Sequence, residues 1–441
     1  MNAKNRISFW KRYYYDYLES LVSFLVPVNA SVLRIDPDLA ARDKMVRLPS
    51  EKYDYIVATD VLGHVDDIQA FLDDSAKVVP DDGRIVITQY NALWEPILRL
   101  ASALGLRKAI LEQNWVSMLD LRNFAHLVGL EEVKSGTKML LPVYIPFVSM
   151  FLNRFLANIW PFSRLGILHF IVLRKPQPRT AVMAPRDDAG MLSVGQVGTD
   201  RRPSISVIVP ARNESGTIKK IANEIPEMGS FTEIIFVEGN STDNTWEEIQ
   251  RVAEVSGRKH RIKTARQEGR GKGDAVRKGF EMASGDILAI YDADMTVPPH
   301  EMSKFYDAIS ENRGDFINGS RLVYPLEKES MRVLNFFGNK FFSFAFSAIL
   351  GQPMKDTLCG TKLIWRVDYD KVRDGRAFFG DFDPFGDFDL LFGAAKLNLK
   401  IVDLPIHYKQ RVYGTTNISR WKHGWLLLRM TVFASRKMKF I

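Results

Sequence analysis

Cysteine is all but missing: the 441 residues contain one, Cys359, so an intrachain disulfide and a thiolate-cluster zinc site are both excluded. Long hydrophobic runs are missing too. No stretch reaches the roughly 18 consecutive apolar residues of a membrane-crossing helix. The segment from Met1 to Val28 is broken by Lys11, Arg12, Asp16 and Glu19, which leaves neither a signal-peptide core nor a small-residue cleavage site. The chain is therefore expected in the cytoplasm, lying on the inner face of the cell membrane rather than spanning it. Also absent are internal repeats, an RNP-like aromatic motif and a clustered basic helix, which argues against nucleic acid as the partner for a net charge of +8. Phosphorylated substrates and anionic bilayer surfaces remain as partners for that charge.

The composition that is there, 46% hydrophobic and 25% charged, belongs to a folded globular protein, and the length suggests two domains. Residues 176–202 are polar and rich in Pro and Gly without a helical or strand period, the pattern of a linker. On either side, in 1–175 and 203–441, short β-branched runs alternate with amphipathic stretches. Both domains are thus expected to be α/β, each around a largely parallel sheet.

In the second domain Ile205–Val209 reads as a buried strand that ends in Pro210-Ala-Arg-Asn-Glu214, with a helix starting near Ser215. A second strand, Ile234–Val237, runs into Glu238-Gly-Asn-Ser-Thr-Asp243. Ligands of open α/β sheets bind at such strand ends. Glu238 and Asp243 there suit ribose hydroxyls or a base edge; the alternative is that Ser241 and Asp243 only form turns and cap the next helix. After Gly285 a further strand pattern, Asp286–Tyr291, leads directly into Asp292-Ala-Asp294. Two carboxylates one residue apart at a strand end can face one divalent cation that bridges a diphosphate. A D-x-D triplet is common in ordinary turns, so its weight comes from its position.

Together, PARNE at 210–214, EGNSTD at 238–243, GRGKGDAVRKGF at 269–280, DAD at 292–294 and NGSR at 318–321 resemble, in order and spacing, the family 2 glycosyltransferases of GT-A fold. DTLCGTKLIWR at 356–366 and PIHYKQRVYGTTNISRWKHGW at 405–425 resemble the polyprenyl- or dolichyl-phosphate hexose synthase branch. The resemblance covers residues 203–441. It implies a nucleotide-diphosphate sugar as donor, Mg²⁺ or Mn²⁺ as metal, a polyprenyl-phosphate acceptor at a membrane surface, and inversion at the sugar carbon. It further implies that Pro210, Asn213, Glu214, Glu238 and Asp243 line the nucleotide pocket. Asp292 and Asp294 would hold the metal, and Lys272 would lie near the donor phosphates. Two departures are visible: Gly239 stands where many relatives have a second acid, and Thr296 where many have Gln, making Thr296 a weaker third metal candidate.

A lipid phosphate is already anionic near neutral pH, so the enzyme must grip two anions more than move a proton. Arg321, Arg332 and Arg411 lie in the segments resembling phosphate-gripping positions, and a guanidinium can hold phosphate through two parallel hydrogen bonds. Gly414 would let the Arg411–Thr416 segment close as a lid. Among the acids of Asp381–Asp389, Asp387 or Asp389 would be the counterpart of the family's general base, with Asp387 preferred; the alternative is a helix cap. With a soluble saccharide acceptor Asp387 becomes essential. A third reading is a non-catalytic membrane-surface scaffold.

Two segments suit an interfacial position: Val333–Leu350, rich in Phe, and Trp421–Ile441, where Lys422, Arg429 and Arg436 recur every seven residues. The alternatives are packing on the catalytic domain or contact with a second copy, and a membrane-protein partner would serve the same anchoring end. In the first domain, the strand Tyr53–Val57, the loop Asp60–His64 and the strand Gly83–Thr88, followed by Asn91, Trp94 and Glu95, resemble the later part of a class I S-adenosylmethionine-dependent methyltransferase. The pattern is incomplete. Ser31–Ile35 runs straight into Asp36-Pro37-Asp38, with no glycine before Gly63, where such enzymes need a glycine-rich turn beside the cofactor. An incomplete Rossmann-like domain that packs on, positions or dimerises the transferase is expected, without S-adenosylmethionine.

Overall fold

The computed structural model describes residues 3–37, 40, 46–104, 114–176, 202–255, 260–321, 323–324, 333–378, 388–411, 413 and 420–439. Arg332, Asp387, Gly414 and nearly all of the 176–202 linker lie outside them. The chain divides into two compact units, Met1–Gln177 with Ser435–Ile441, and Pro178–Ala434.

The first unit holds a five-stranded sheet in the order β1 (Val32–Ile35), β2 (Tyr55–Thr59), β3 (Arg84–Tyr90), β5 (Leu168–Arg174), β4 (Glu131–Lys138). The first three strands are parallel; β5 is antiparallel to β3 and β4. Both faces of the central strands are covered, which is why they are continuous apolar runs rather than alternating ones. One face, with Ile56, Ala58, Ile85 and Ile87, packs on Phe71, Leu72 and Leu121 of the helices Ile68–Val78 and Met118–Leu127. The other, with Tyr55, Val57 and Val86, packs on Tyr14, Leu18, Leu21 and Val22 of the long helix Ala3–Leu25. Strand β1 pairs only with β2, and no described strand lies between Ile35 and Tyr55. Among the described residues the connection from β1 to β2 adds no strand to the sheet.

The second unit holds a seven-stranded sheet ordered β12 (Ile401–Pro405), β10 (Phe316–Ser320), β11 (Lys362–Trp365), β9 (Ile287–Ile290), β6 (Ile205–Ala211), β7 (Thr232–Glu238), β8 (Arg261–Arg266). Strands β9, β6, β7 and β8 are parallel, so their carboxyl ends share one edge. The departure from the expected parallel sheet is β11, antiparallel to both β9 and β10. Its register sets Lys362 opposite Ile290, so the segment that enters β11 lies beside the turn that leaves β9. That reversal places residues 356–361 at the edge where the parallel strands end.

The two segments expected at an interface are helices, Val333–Leu350 and Arg420–Met438. Each buries one side. Phe346 packs on Phe392 and Phe388 at ring distances of 5.4 and 5.3 Å, while Phe341 and Phe344 face outward. In the second helix Leu427, Met430 and Ala434 are buried, and Trp425, Leu428 and Val432 are exposed. Among the described residues no helix is long and apolar enough to cross a membrane.

Candidate active site

The site forms where β6, β7 and β9 end. Beyond β6 the chain turns at Asn213, whose φ of +56° is tolerated because a short amide can bond locally. Its Oδ1 accepts from Thr242 N at 2.8 Å, and its own N donates to Ser241 Oγ at 3.0 Å. Glu214 N donates to Thr245 Oγ1 at 2.9 Å. Beyond β7, buried Glu238 accepts from Ser241 N at 2.5 Å, and Asp243 accepts from Thr245 N at 3.1 Å and from Ser215 N at 3.4 Å. The PARNE and EGNSTD loops are therefore laced into one rim. In it Asp243 accepts from Thr245, the first residue of the helix Thr245–Val255, and Pro210, on β6, is half-buried.

Beyond β9 the chain makes a second fixed turn. Tyr291 OH donates to Val297 O at 2.5 Å, and Thr296 donates to Asp294 Oδ1 through N at 3.1 Å and Oγ1 at 2.9 Å. Asp292 and Asp294 project from this turn onto different cations. Asp292 Oδ1 is 2.6 Å from Lys272 Nζ, at the start of the helix Lys272–Met282. Asp294 Oδ2 accepts from Arg411 Nη2 at 3.1 Å, and Arg411 Nη1 donates to Glu214 Oε1 at 2.7 Å. Tyr413 OH accepts from Ser215 Oγ at 3.1 Å, so Arg411 and Tyr413 both lie across the rim.

The electrostatics separate these acids. Burial alone would raise Asp292, but the charge and hydrogen bond of Lys272, reinforced by Lys362 and Arg321, outweigh it and hold the carboxyl below its usual range. Glu214 goes the other way. Its burial dominates over the favourable Arg411 charge, Asp294 and Asp243 add repulsion, and the carboxyl is pushed up to about 7. A carboxyl with a raised folded value binds more protons folded than unfolded between about pH 4.5 and 7, so stability falls with rising pH over that window. Glu214→Gln is expected to flatten the fall in melting temperature between pH 4.5 and 7.5; an unchanged slope would contradict the assignment. Asp403, pushed up to about 6 by burial, acts in the same direction, so Asp403→Asn serves as the control.

Behind the site stands a second cluster around Asp356, whose side chain is fully buried. It accepts from Arg321 Nε at 2.7 Å, Arg321 Nη2 at 2.9 Å, Arg321 N at 3.0 Å, Asn339 Nδ2 at 2.9 Å and Leu358 N at 3.0 Å. Arg321 is thereby committed through two of its guanidinium nitrogens. Gly360, in the following segment, leaves no room for a side chain: a Cβ there would lie 2.5 Å from both Asp292 Cγ and Lys272 Nζ.

Of the residues expected from sequence, Asn213, Glu214, Glu238 and Asp243 share one rim, and Glu214, Asp294, Thr296 and Arg411 are bonded into one group. Arg332 and Asp387 lie outside the described residues. Asp389, the other candidate base, accepts from Arg376 at 2.7 Å. Sequence reasoning missed Asp356, Gly360 and Lys362. The only signal for them was the DTLCGTKL segment as a whole, because their partners are distant in sequence.

The donor set suits a hard divalent cation. Among the described residues no three His, Cys, Asp or Glu side chains converge, so these residues form no dedicated cage. Mg²⁺ is commonly held by one or two carboxylates with substrate phosphates completing its shell. Asp292 and Asp294, with the Thr296 hydroxyl, match that pattern, and Lys272 and Arg411 now supply the positive charge beside them.

Residues 206–373 match the family model Glycosyl transferase family 2, and residues 11–134 match the family model Methyltransferase domain. The dolichol-phosphate mannosyltransferase of Pyrococcus furiosus is 35% identical over 122 residues, which are 27% of this chain and 33% of that one. Glycosyltransferase AglJ of Haloferax volcanii is 27% identical over 230 residues, 51% of this chain and 69% of that one. The chain thus spans a third of the length of the Pyrococcus protein, 33%. A solved structure of glucosyl-3-phosphoglycerate synthase from Mycobacterium tuberculosis covers 54% of this chain and 80% of its own, at 19% identity and a TM-score of 0.40, too loose a match for any residue to be carried over.

Proposed function

We propose, for a chain whose C-terminal half carries a family 2 glycosyltransferase domain behind a methyltransferase-like one, that it moves a hexose from a nucleotide-diphosphate sugar to a polyprenyl phosphate at the inner membrane surface. The observation that carries this reading is the group Lys272–Asp292 and Glu214–Arg411–Asp294 at one sheet edge, three acids and two cations on a single rim. The same reading takes 1–175, 176–202 and 203–441 as domain, linker and domain. A similarity to a dolichol-phosphate mannosyltransferase supports the lipid acceptor.

Asp292 and Asp294, with Thr296, would hold a Mg²⁺ or Mn²⁺ ion, which when bound supplies positive charge to the departing diphosphate. Asn213, Glu238 and Asp243 shape the nucleotide end of the cleft. Lys272 stands in the first turn of a helix whose N-cap, Gly271, has no side chain to bond it, where its ammonium and the helix N-terminus favour a donor phosphate. Arg411 can pass from the two carboxylates to phosphate oxygens as the 411–413 segment moves. Arg321, fixed by Asp356, stiffens the acceptor side, with Arg332 as the second grip. The acceptor phosphate oxygen forms its bond to the anomeric carbon from the face opposite the diphosphate, whose bond to that carbon breaks. The anionic oxygen carries no proton to remove, and a single displacement inverts the centre. In the N-terminal domain, the lack of a glycine before Gly63 favours a non-catalytic supporting role.

The test is a thermal-shift panel of nucleotide sugars with Mg²⁺ or Mn²⁺, followed by transfer to a short-chain polyprenyl phosphate. Donor at a hundred times its dissociation constant should stabilise the protein by about 2.7 kcal/mol, and Asp292→Asn with Asp294→Asn should remove the shift. No metal-dependent shift with any donor would sink the proposal. Loss of transfer in Arg332→Ala with tolerance of Asp387→Asn marks a phosphate acceptor, and the reverse pattern a soluble saccharide.

A further inference from the structure

The N-terminal domain carries a surface built inside out. In the helix Val148–Arg154 the buried side chains are polar, Ser149 and Asn153, whereas Val148, Met150 and Phe151 are exposed. The polar pair is consumed internally. Ser149 Oγ accepts from Ile145 N at 2.5 Å and donates to Val143 O at 2.7 Å. Asn153 accepts from the backbone N of Leu140 and Leu141 and donates to Leu141 O and Tyr13 OH. A helix in water does the opposite. Polar groups closed on themselves beneath an apolar exterior are what a hydrocarbon solvent demands.

The surface extends on both sides of this helix. Phe147, just before it, is 83% exposed and has a φ of +61°, a strained conformation for a bulky residue. Trp160 is 70% exposed, and Ile159 lies beside it in sequence, also exposed. Trp94 Nε1 donates to Leu165 O at 2.7 Å, and Asn91 Nδ2 donates to Gly166 O at 2.8 Å, which ties in the neighbouring helix Glu95–Ala103 with its exposed Ile97 and Leu100.

Charge selects the occupant. From Met139 to Gly166 the sequence has no acidic residue, and its charged side chains are the exposed Arg154 and Arg164. In a symmetric contact with a second copy the same patch would face itself, and its acid, Glu95 of the neighbouring helix, is already paired with Arg99 at 2.5 Å, so the arginines would meet without a counter-charge of their own. An anionic bilayer offers what both parts need: an acyl boundary for the aromatics and headgroup phosphates for the arginines.

We infer that this face of the methyltransferase-like domain is a bilayer-docking surface: Ile97, Leu100, Phe147, Phe151, Ile159 and Trp160 enter the headgroup–acyl boundary while Arg154 and Arg164 meet anionic headgroups. The inference does not depend on the transfer reaction, since none of these residues belongs to the transfer site.

The test uses the full chain with vesicles of equimolar phosphatidylcholine and phosphatidylglycerol, and with phosphatidylcholine alone. Phe147→Ser with Trp160→Ser should lower partitioning onto the anionic vesicles by about tenfold or more, with an unchanged melting temperature because both side chains are exposed. Arg154→Glu with Arg164→Glu should abolish the preference for the anionic vesicles. In Phe147→Cys, labelling with an environment-sensitive fluorophore is selective because Cys359 is buried, and the label should brighten and shift to the blue on vesicle addition. Unchanged partitioning of the serine variant, a label blind to vesicles, or self-association of the wild type that the serine variant loses would each overturn the inference. The serine variant should keep full turnover on a soluble short-chain polyprenyl phosphate, and an inactive transferase that still binds vesicles would separate the two proposals.

Discussion

Gly360→Ala is expected to reduce sugar transfer by about 10²-fold or more, since a displacement of about an ångström at a reacting centre has that effect. The fold should survive. The added methyl would lie 2.5 Å from Asp292 Cγ and from Lys272 Nζ. The groups in its way are the ends of side chains rather than backbone, so the strain is relieved by moving them. What moves is the pair that the proposed mechanism needs fixed: the Asp292 carboxylate would leave its 2.6 Å contact with Lys272. A metal-dependent donor shift should vanish with the activity, while the metal-free melting temperature falls by about 10 °C at most, the effect of an overpacking that costs about 1–3 kcal/mol. Wild-type turnover in Gly360→Ala would mean that the proposed metal position at Asp292 is wrong.

Gly360 also marks where the sequence stopped being legible. Asp292 and Asp294 were visible because their position depends on local events only, an apolar strand followed by a turn. The same holds for the PARNE and EGNSTD loops, each set by its own preceding strand. The helix Val333–Leu350 ends where its hydrophobic pattern ends. Gly360 and Asp356 instead reach the site through β11, whose antiparallel insertion between β9 and β10 is a tertiary choice with no local signature. Asp243 bonds to the first residue of the helix Thr245–Val255, and its sequence context allowed a turn-forming and a nucleotide-binding reading equally. The inside-out surface at Met139–Gly166 escaped for a related reason: Pro142, Pro146 and Pro161 interrupt any period, so periodicity could not reveal that Ser149 and Asn153 face inward.

The largest loss of stability is expected from Asp356→Ala. Five donors converge on this fully buried carboxylate, three of them from Arg321. Burial would raise its pKa, but the Arg321 charge and the hydrogen bonds reverse that and hold the carboxyl well below the usual carboxylate range, while Arg321 is held correspondingly high. Alanine would leave the largely buried guanidinium without its counter-charge, and breaking one side of such a pair costs about 3–5 kcal/mol. For a domain of this size that lowers the melting transition by about 10 °C. The stabilisation from a depressed carboxyl is present above its unfolded value near 4 and is lost as pH falls further. The wild-type advantage over Asp356→Ala should therefore shrink on acidification below about pH 4. Asp356→Asn, which keeps the shape and some acceptors, should fall between the two. If alanine costs less than about 1 kcal/mol, the value of an ordinary exposed ion pair, then Arg321 finds another partner and is free to meet phosphate directly. The positioning role given to Arg321 would then give way to the direct grip that its place in the NGSR segment first suggested.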